Sequence, residues 1–277
     1  MKIDTNIAKE WHAHALKIKQ DANKIILGQE KAINLVIISL FARGHVLLEG
    51  GVGVGKTTLL QVITKLIGGS YERVEGTVDL MPNDIIYHAS INDEGKPSIS
   101  KGPLLKKGED LSVFFFNEIN RARPQVHSLL LRVMAEKSVS AFNDVIYLPN
   151  MVVFADRNQV EKNETFELPA AARDRFMMEV SIQSPTDKVL RDSIIFDTKF
   201  QDTSKLIEDI PSPLFDCKEL NAVSAAIQEN IQTSDHIKNY IETLWQATET
   251  PRKFAVDVEG IDIDDFIIAG SSPRGMI

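Results

Sequence analysis

An α/β fold built on a mostly parallel sheet, with helices covering both faces, is what the 277-residue chain predicts. Two observations carry this reading. Short apolar runs at 45–49, 71–74, 112–117, 151–156 and 178–182 alternate with segments of helical periodicity at 57–67 and 125–137, and parallel strands need such crossovers and read as near-continuous apolar runs. A glycine-rich turn follows the first of those runs and opens the first of those helices.

Taken in order, the elements follow from local pattern. Trp11, Ala15, Ile18, Ala22 and Ile25 recur at helical spacing, so 8–25 reads as an amphipathic helix that packs on a core. A second helix is expected over 29–42, broken by Arg43-Gly44 before the strand at 45–49. Residues 85–105 read as a hairpin between the second strand and the next core element. After Ser184-Pro185 the β-branched runs cease and 187–196, 217–230 and 234–247 read as helices, with Pro211 and Pro213 breaking between the first two. The expected organisation is therefore an α/β domain over 1–184 and a helical domain over 185–277.

Composition narrows the function classes. With 43% hydrophobic and 25% charged residues the chain is of the ordinary globular kind. The 31 Lys and Arg against 39 Asp and Glu give a net charge of -8, which disfavours a nucleic-acid partner. A lone Cys217 has no companion for an intramolecular disulfide or a metal site and is expected to be a small core residue. The first residues lack the apolar stretch of a secretory signal, so the expected address is the cytoplasm. The most apolar stretches, 35–41 and 113–116, fall far short of the roughly 20 residues that cross a bilayer. Histidines 12, 14, 45, 88, 127 and 236 form no metal-binding set, and His45 inside a strand is expected to be a hydrogen-bonded core residue.

Residues 50–57, Gly50-Gly51-Val52-Gly53-Val54-Gly55-Lys56-Thr57, satisfy G-x-x-x-x-G-K-[ST] between a strand and a helix, the setting that motif needs. Glycines let backbone N–H groups converge on phosphate oxygens, and the helix N-terminus adds positive potential. Lys56 is expected at the outer phosphates, the Thr57 hydroxyl at Mg²⁺ and Thr58 beside them. ATP with Mg²⁺ is the expected ligand, and magnesium on the nucleotide is the only metal expected.

Nucleotide hydrolysis also needs a carboxylate near the metal and a group to polarise water, usually at the end of a neighbouring apolar strand. Val113-Phe114-Phe115-Phe116-Asn117-Glu118 is the candidate, with Glu118 as general base. Asn117 stands where a metal-associated Asp is expected. Its neutral amide should hold magnesium less firmly, so turnover is expected to be slow.

Beyond the P-loop, a set of further motifs is similar to the MoxR branch of the AAA+ ATPases over most of the chain. They are Gly44-His45-Val46-Leu47-Leu48-Glu49-Gly50, Asp79-Leu80-Met81-Pro82-Asn83-Asp84, Asn117-Glu118-Ile119-Asn120-Arg121-Ala122, Leu168-Pro169-Ala170-Ala171, Asp174-Arg175-Phe176 and Ser272-Pro273-Arg274. The resemblance implies an AAA+ α/β core with a small helical lid, nucleotide at a subunit boundary and a homo-oligomeric ring, usually a hexamer. It further implies that Asn158 resembles the sensor 1 residue that places water, and that Arg175 resembles the arginine finger acting on a neighbour's γ-phosphate, with Arg173 as the fallback. Arg274 resembles sensor 2, and Gln29 occupies the position that touches adenine. The resemblance also implies that 85–105 is an insert and 138–147 a second hairpin, loops that in similar proteins project into the pore or towards substrate.

Three departures bear on the transfer. Asn117 replaces an Asp, Ala155-Asp156-Arg157-Asn158-Gln159 replaces a more usual Ala-Thr-Gln-Asn-Pro, and residue 277 lies three residues beyond Arg274, where family lids continue. The lid is therefore expected to be incomplete. The function implied is an ATP-hydrolysing ring that remodels or matures a protein client, through a partner with a von Willebrand A domain. A nucleotide-gated scaffold with little hydrolysis, motivated by Asn117, and a nucleic-acid motor, disfavoured by charge, are the alternatives.

Overall fold

The computed structural model describes residues 5–91, 95–157, 166–211 and 213–256, together with 259, 260, 262, 263, 270 and 272. Helix α1 (Thr5–Asn23) buries Ile18 and Ala22, with Trp11 and Ala15 packed beside them, on the predicted stripe. Helix α2 (Glu30–Ala42) ends at Arg43, whose φ of 57° turns the chain so that the Gly44 N–H reaches the Ser39 carbonyl at 2.9 Å, a left-handed C-terminal cap. The chain then enters β1 (His45–Glu49), the glycine turn, α3 (Lys56–Leu66) and β2 (Ser70–Glu75).

A short helix α4 (Pro82–Ile86) leads into the antiparallel hairpin β3 (Tyr87–Ile91) and β4 (Pro97–Lys101). Next come β5 (Leu111–Asn117), α5 (Pro124–Glu136), a second hairpin β6 (Ser138–Ala141) and β7 (Asp144–Tyr147), and β8 (Val152–Arg157). Helix α6 (Ala170–Arg173) precedes β9 (Phe176–Ser181), and α7 (Lys188–Phe196), α8 (Thr203–Glu208), α9 (Leu220–Asn230) and α10 (Asp235–Glu249) follow.

The central sheet runs in the order β2-β5-β8-β1-β9 with every pairing parallel. Alternation along its strands explains why two helical layers are needed. Val113 and Phe115 of β5, with Val152 and Phe154 of β8, join a core built with α1, α2 and α3. Phe114, Phe116, Val153 and Ala155 point the other way into a core shared with α5 and the hairpin region.

The chain divides into two compact units, Met1–Ala226 and Ile227–Ile277. Composition alone puts the change of character near 184, yet Ile210, Cys217 and Leu220 are buried in the same core as α1 to α3, and the Lys65 ammonium donates to the Ile207 and Glu208 carbonyls at the end of α8 at 2.6 and 2.9 Å. The packing of 188–226 thus belongs with the sheet. Within the second unit, α10 is followed by a 3-10 turn, Pro251–Phe254, with Pro251 buried. No helix among the described residues is long and apolar enough to cross a membrane.

The two-residue turn of the β6–β7 hairpin places Phe142 and Asn143 at φ 54° and 66°, the left-handed pair of a type I′ turn. Asn tolerates that region; a bulky Phe there costs about 1 kcal/mol or more. The Phe142 ring meets Tyr87 of the other hairpin with centroids 4.7 Å apart, and such pairs contribute about 0.5–1.5 kcal/mol. The contact is large enough to offset the strain.

His45 is 8% exposed, and its Nδ1 accepts the Val153 N–H at 2.9 Å while Nε2 donates to the Met134 carbonyl at 3.3 Å. Both bonds require the neutral ring with its proton on Nε2, as expected of a core histidine. Burial first, then the Lys137 and Arg43 charges, pull its pKa from 6.5 to about 4, against the opposing pull of the Met134 carbonyl. Because the folded value lies below the unfolded one, the unfolded chain takes up the proton first. Stability is then fully present above about 6.5 and lost as pH falls towards 4, a loss of about 3 kcal/mol at 1.36 kcal/mol per unit. Denaturant midpoints measured from pH 7 to 4 should fall more steeply for the parent than for His45→Gln, and parallel curves would refute this assignment.

Candidate active site

The glycine turn is shaped by close approaches as well as by backbone freedom. A Cβ on Gly50 would lie 2.3 Å from the Ile182 carbonyl oxygen, so only glycine lets β1 leave the sheet beside the end of β9. Gly53 and Gly55 take φ of 77° and 89°, values that glycine adopts without penalty. Gly55 is the N-cap of α3 and provides no side-chain cap, so the first amides of the helix remain directed at the turn.

Lys56, the first residue of α3, donates from Nζ to the Gly50 carbonyl at 2.9 Å and pairs with the Asp156 carboxylate. Asp156 is 1% exposed. Burial raises its pKa, opposed by its bonds to Lys56 and to the Glu118 N–H. Thr57 and Thr58 follow on the same helical turn, both half-buried.

At the end of β5, Glu118 adopts φ 52°, leaves the sheet and donates its N–H to Asp156 Oδ1. Its carboxylate is held by Arg121 Nη1 at 2.9 Å. Gly76 permits this arrangement: its N–H donates to the Asn117 carbonyl at 2.7 Å, and a Cβ there would sit 2.1 Å from the Glu118 carbonyl oxygen. The Asn117 amide points to the other flank, where Nδ2 donates to Glu75 Oε1. Glu75 pairs with Asn117 in register on β2, the neighbour of β5 away from β8.

A cleft of about 400 Å³ opens beside the turn. Gln29, Gly53, Val54, Gly55 and Thr58 form one side and Ile25, Ile26, Leu27, Pro185, Arg191, Ile194, Phe200 and Leu206 much of the rest. Gln29, which the resemblance assigns to the adenine, lines this cleft; α7 and α8, its other walls, are not foreseen from the sequence. Gln29 is itself buried, its Nε2 donating to the Gln183 carbonyl. Val52, by contrast, is among the most exposed apolar residues of the turn.

Arg175 follows α6 and is half-buried; Nη1 donates to the Ala171 carbonyl at 3.1 Å, and among the described residues the buried Nε has no hydrogen-bond partner. Among the described residues it forms no ion pair, while Arg173 is exposed. Asn158 and Arg274 lie outside the described residues. Asp156 is the residue sequence reasoning left without a role. A charge closing the apolar run Val152-Val153-Phe154-Ala155 was the available signal. Arg157 beside it bridges Glu49 at 2.9 Å and Glu179 at 2.7 Å, tying the strand ends together.

The chain is similar to known proteins. A family model described as the ATPase family associated with various cellular activities (AAA) matches residues 45–178. Protein MoxR of Methylorubrum extorquens is 51% identical over 267 residues, covering 96% of this chain and 78% of that protein. The chain belongs to the MoxR family of AAA+ ATPases. A second MoxR protein, from Paracoccus denitrificans, is 48% identical over 274 residues, 99% of this chain and 80% of its own length. Chaperone MoxR1 of Mycobacterium tuberculosis is 29% identical over 93% of this chain and 64% of its length. A crystal structure described as that of a candidate ATPase from Cytophaga hutchinsonii superposes with a TM-score of 0.76 at 25% identity, covering 97% of this chain and 80% of that one. The parallel sheet, the P-loop and the helical C-terminal region are thus those of an AAA+ protein of the MoxR family.

Proposed function

We propose that this MoxR-family chain is a Mg²⁺-dependent ATPase that works as a homo-oligomeric ring and remodels or matures a protein client. One observation carries the enzymatic half: the P-loop lysine, the open end of α3 and the Glu118 turn converge on a single sheet edge through Asp156. The amides of 50–55 and Lys56 suit the phosphates, and the Thr57 and Thr58 hydroxyls stand on the first turn of α3 beside them. The apolar cleft at Gln29 suits a purine base. Magnesium bound with the nucleotide neutralises phosphate charge, and Thr57 is the hydroxyl placed to hold it. Glu118 takes the proton of the attacking water, Asn158 positions that water, and Arg175 and Arg274 offer positive charge, the former to a neighbouring subunit. The name of the mycobacterial relative, a chaperone, supports a protein client. A partner with a von Willebrand A domain and a hexameric, cytoplasmic ring complete the reading.

A second reading, a nucleotide-gated scaffold that hydrolyses little, draws support from Asn117, whose neutral amide is engaged by Glu75. Single-turnover hydrolysis separates the two. The test of the shared nucleotide site is Lys56→Ala in a calorimetric titration with ATP. Losing the one ammonium that the P-loop directs at the outer phosphates should weaken binding by at least tenfold, or about 1.4 kcal/mol. Unchanged affinity would remove the assignment.

A further inference from the structure

We propose that Asp156 supplies the carboxylate that faces the magnesium of the bound nucleotide, a duty carried by β8 in this chain rather than by β5. The inference rests on the nucleotide reading above and adds a residue to it. Position 117 cannot provide the charge, since it is an amide and is turned to Glu75 on the β2 flank. Asp156 sits one strand closer to the P-loop: β8 lies between β5 and β1, and Asp156 pairs in register with Leu48, two residues before Gly50. Its carboxylate already contacts Lys56, the residue next to Thr57.

Charge balance supplies the argument. Asp156 is buried to 1% exposure, and its two oxygens have separate duties: Oδ1 accepts the Glu118 N–H and Oδ2 pairs with Lys56. When Lys56 turns to the outer phosphates of a nucleotide, Oδ2 loses its partner. A buried carboxylate stripped of its counter-charge is strongly unfavourable, and it must gain either a proton or a second cation in the place that the ammonium leaves. A divalent ion held by the Thr57 hydroxyl and the phosphates meets that requirement, directly or through one of its waters. Asp156 therefore exchanges lysine for magnesium as nucleotide enters, and through Oδ1 it keeps the Glu118 backbone fixed meanwhile.

The test measures affinity for a fluorescent ADP analogue in excess Mg²⁺ and in EDTA, for the parent and for Asp156→Asn, which retains an acceptor for the Glu118 N–H. The ratio of the two affinities should fall at least tenfold in the variant. Its affinity in EDTA should be equal to the parent's or tighter, because Lys56 no longer has a competing partner. An equal ratio in both proteins, a parent ratio of one, or a variant weakened equally in both buffers overturns the proposal, the last showing a purely structural residue. A parent that binds no nucleotide at all refutes the underlying nucleotide reading instead, and this proposal with it. If Asp156→Asn does not fold, the unaltered protein labelled with carboxyl-¹³C aspartate and loaded with Mn²⁺ and ADP answers the question. A resolved hyperfine coupling between the manganese and an aspartate carboxyl is expected, and its absence rejects the assignment.

Discussion

Arg175→Ala is expected to lower ATP turnover of the assembled protein by about 10³ to 10⁵-fold, the range that such a guanidinium commands, while the protomer's nucleotide affinity stays near the parent's. The expectation comes from what the side chain does in its own subunit. It gives one hydrogen bond to the Ala171 carbonyl, leaves Nε buried and unpaired, and forms no ion pair among the described residues. A guanidinium that the described residues do not neutralise keeps its charge for another chain's phosphates. Turnover per protomer should rise with protein concentration for the parent and stay flat for the variant. Mixing Arg175→Ala with Lys56→Ala should recover part of the activity, because mixed interfaces bring an intact Arg175 to an intact P-loop. Turnover that ignores both concentration and the substitution would falsify the action in trans.

Glu118→Gln is expected to slow the chemical step by about 10² to 10⁴-fold without weakening nucleotide binding, the contribution typical of a positioned general base. Its backbone at φ 52° is pinned by Asp156, and Arg121 at 2.9 Å orients the carboxylate. A glutamine of the same size keeps those supports and loses only the capacity to take a proton. Single-turnover hydrolysis and binding on the same samples would show the split. If the parent hydrolyses no faster than the glutamine variant, the scaffold reading replaces the enzymatic one.

The P-loop was legible in the sequence because its parts are contiguous: a strand, a glycine turn and a helix follow one another, and 50–57 needs no distant partner to be understood. The sheet was legible for a related reason, since strands buried on both faces are apolar throughout. What escaped detection depends on strand order. Nothing local says that β8 lies between β5 and β1, so Asp156 read as a deviation from a familiar pattern when it is the residue that Lys56 touches. The orientation of Asn117 is decided by Glu75, a residue 42 positions away. The walls of the cleft come from α7 and α8, whose amphipathic pattern shows that they pack and not upon what.

The ring contact between Tyr87 and Phe142 has a mechanical meaning. Two ribbons that leave a domain separately can bend independently, whereas ribbons touching near the base of one and the tip of the other share a degree of freedom. The β3–β4 ribbon starts at Tyr87 straight after α4, and the β6–β7 ribbon turns at Phe142 soon after α5. The tilted ring contact thus links the two excursions from the α/β core, and any displacement that keeps it intact must carry both.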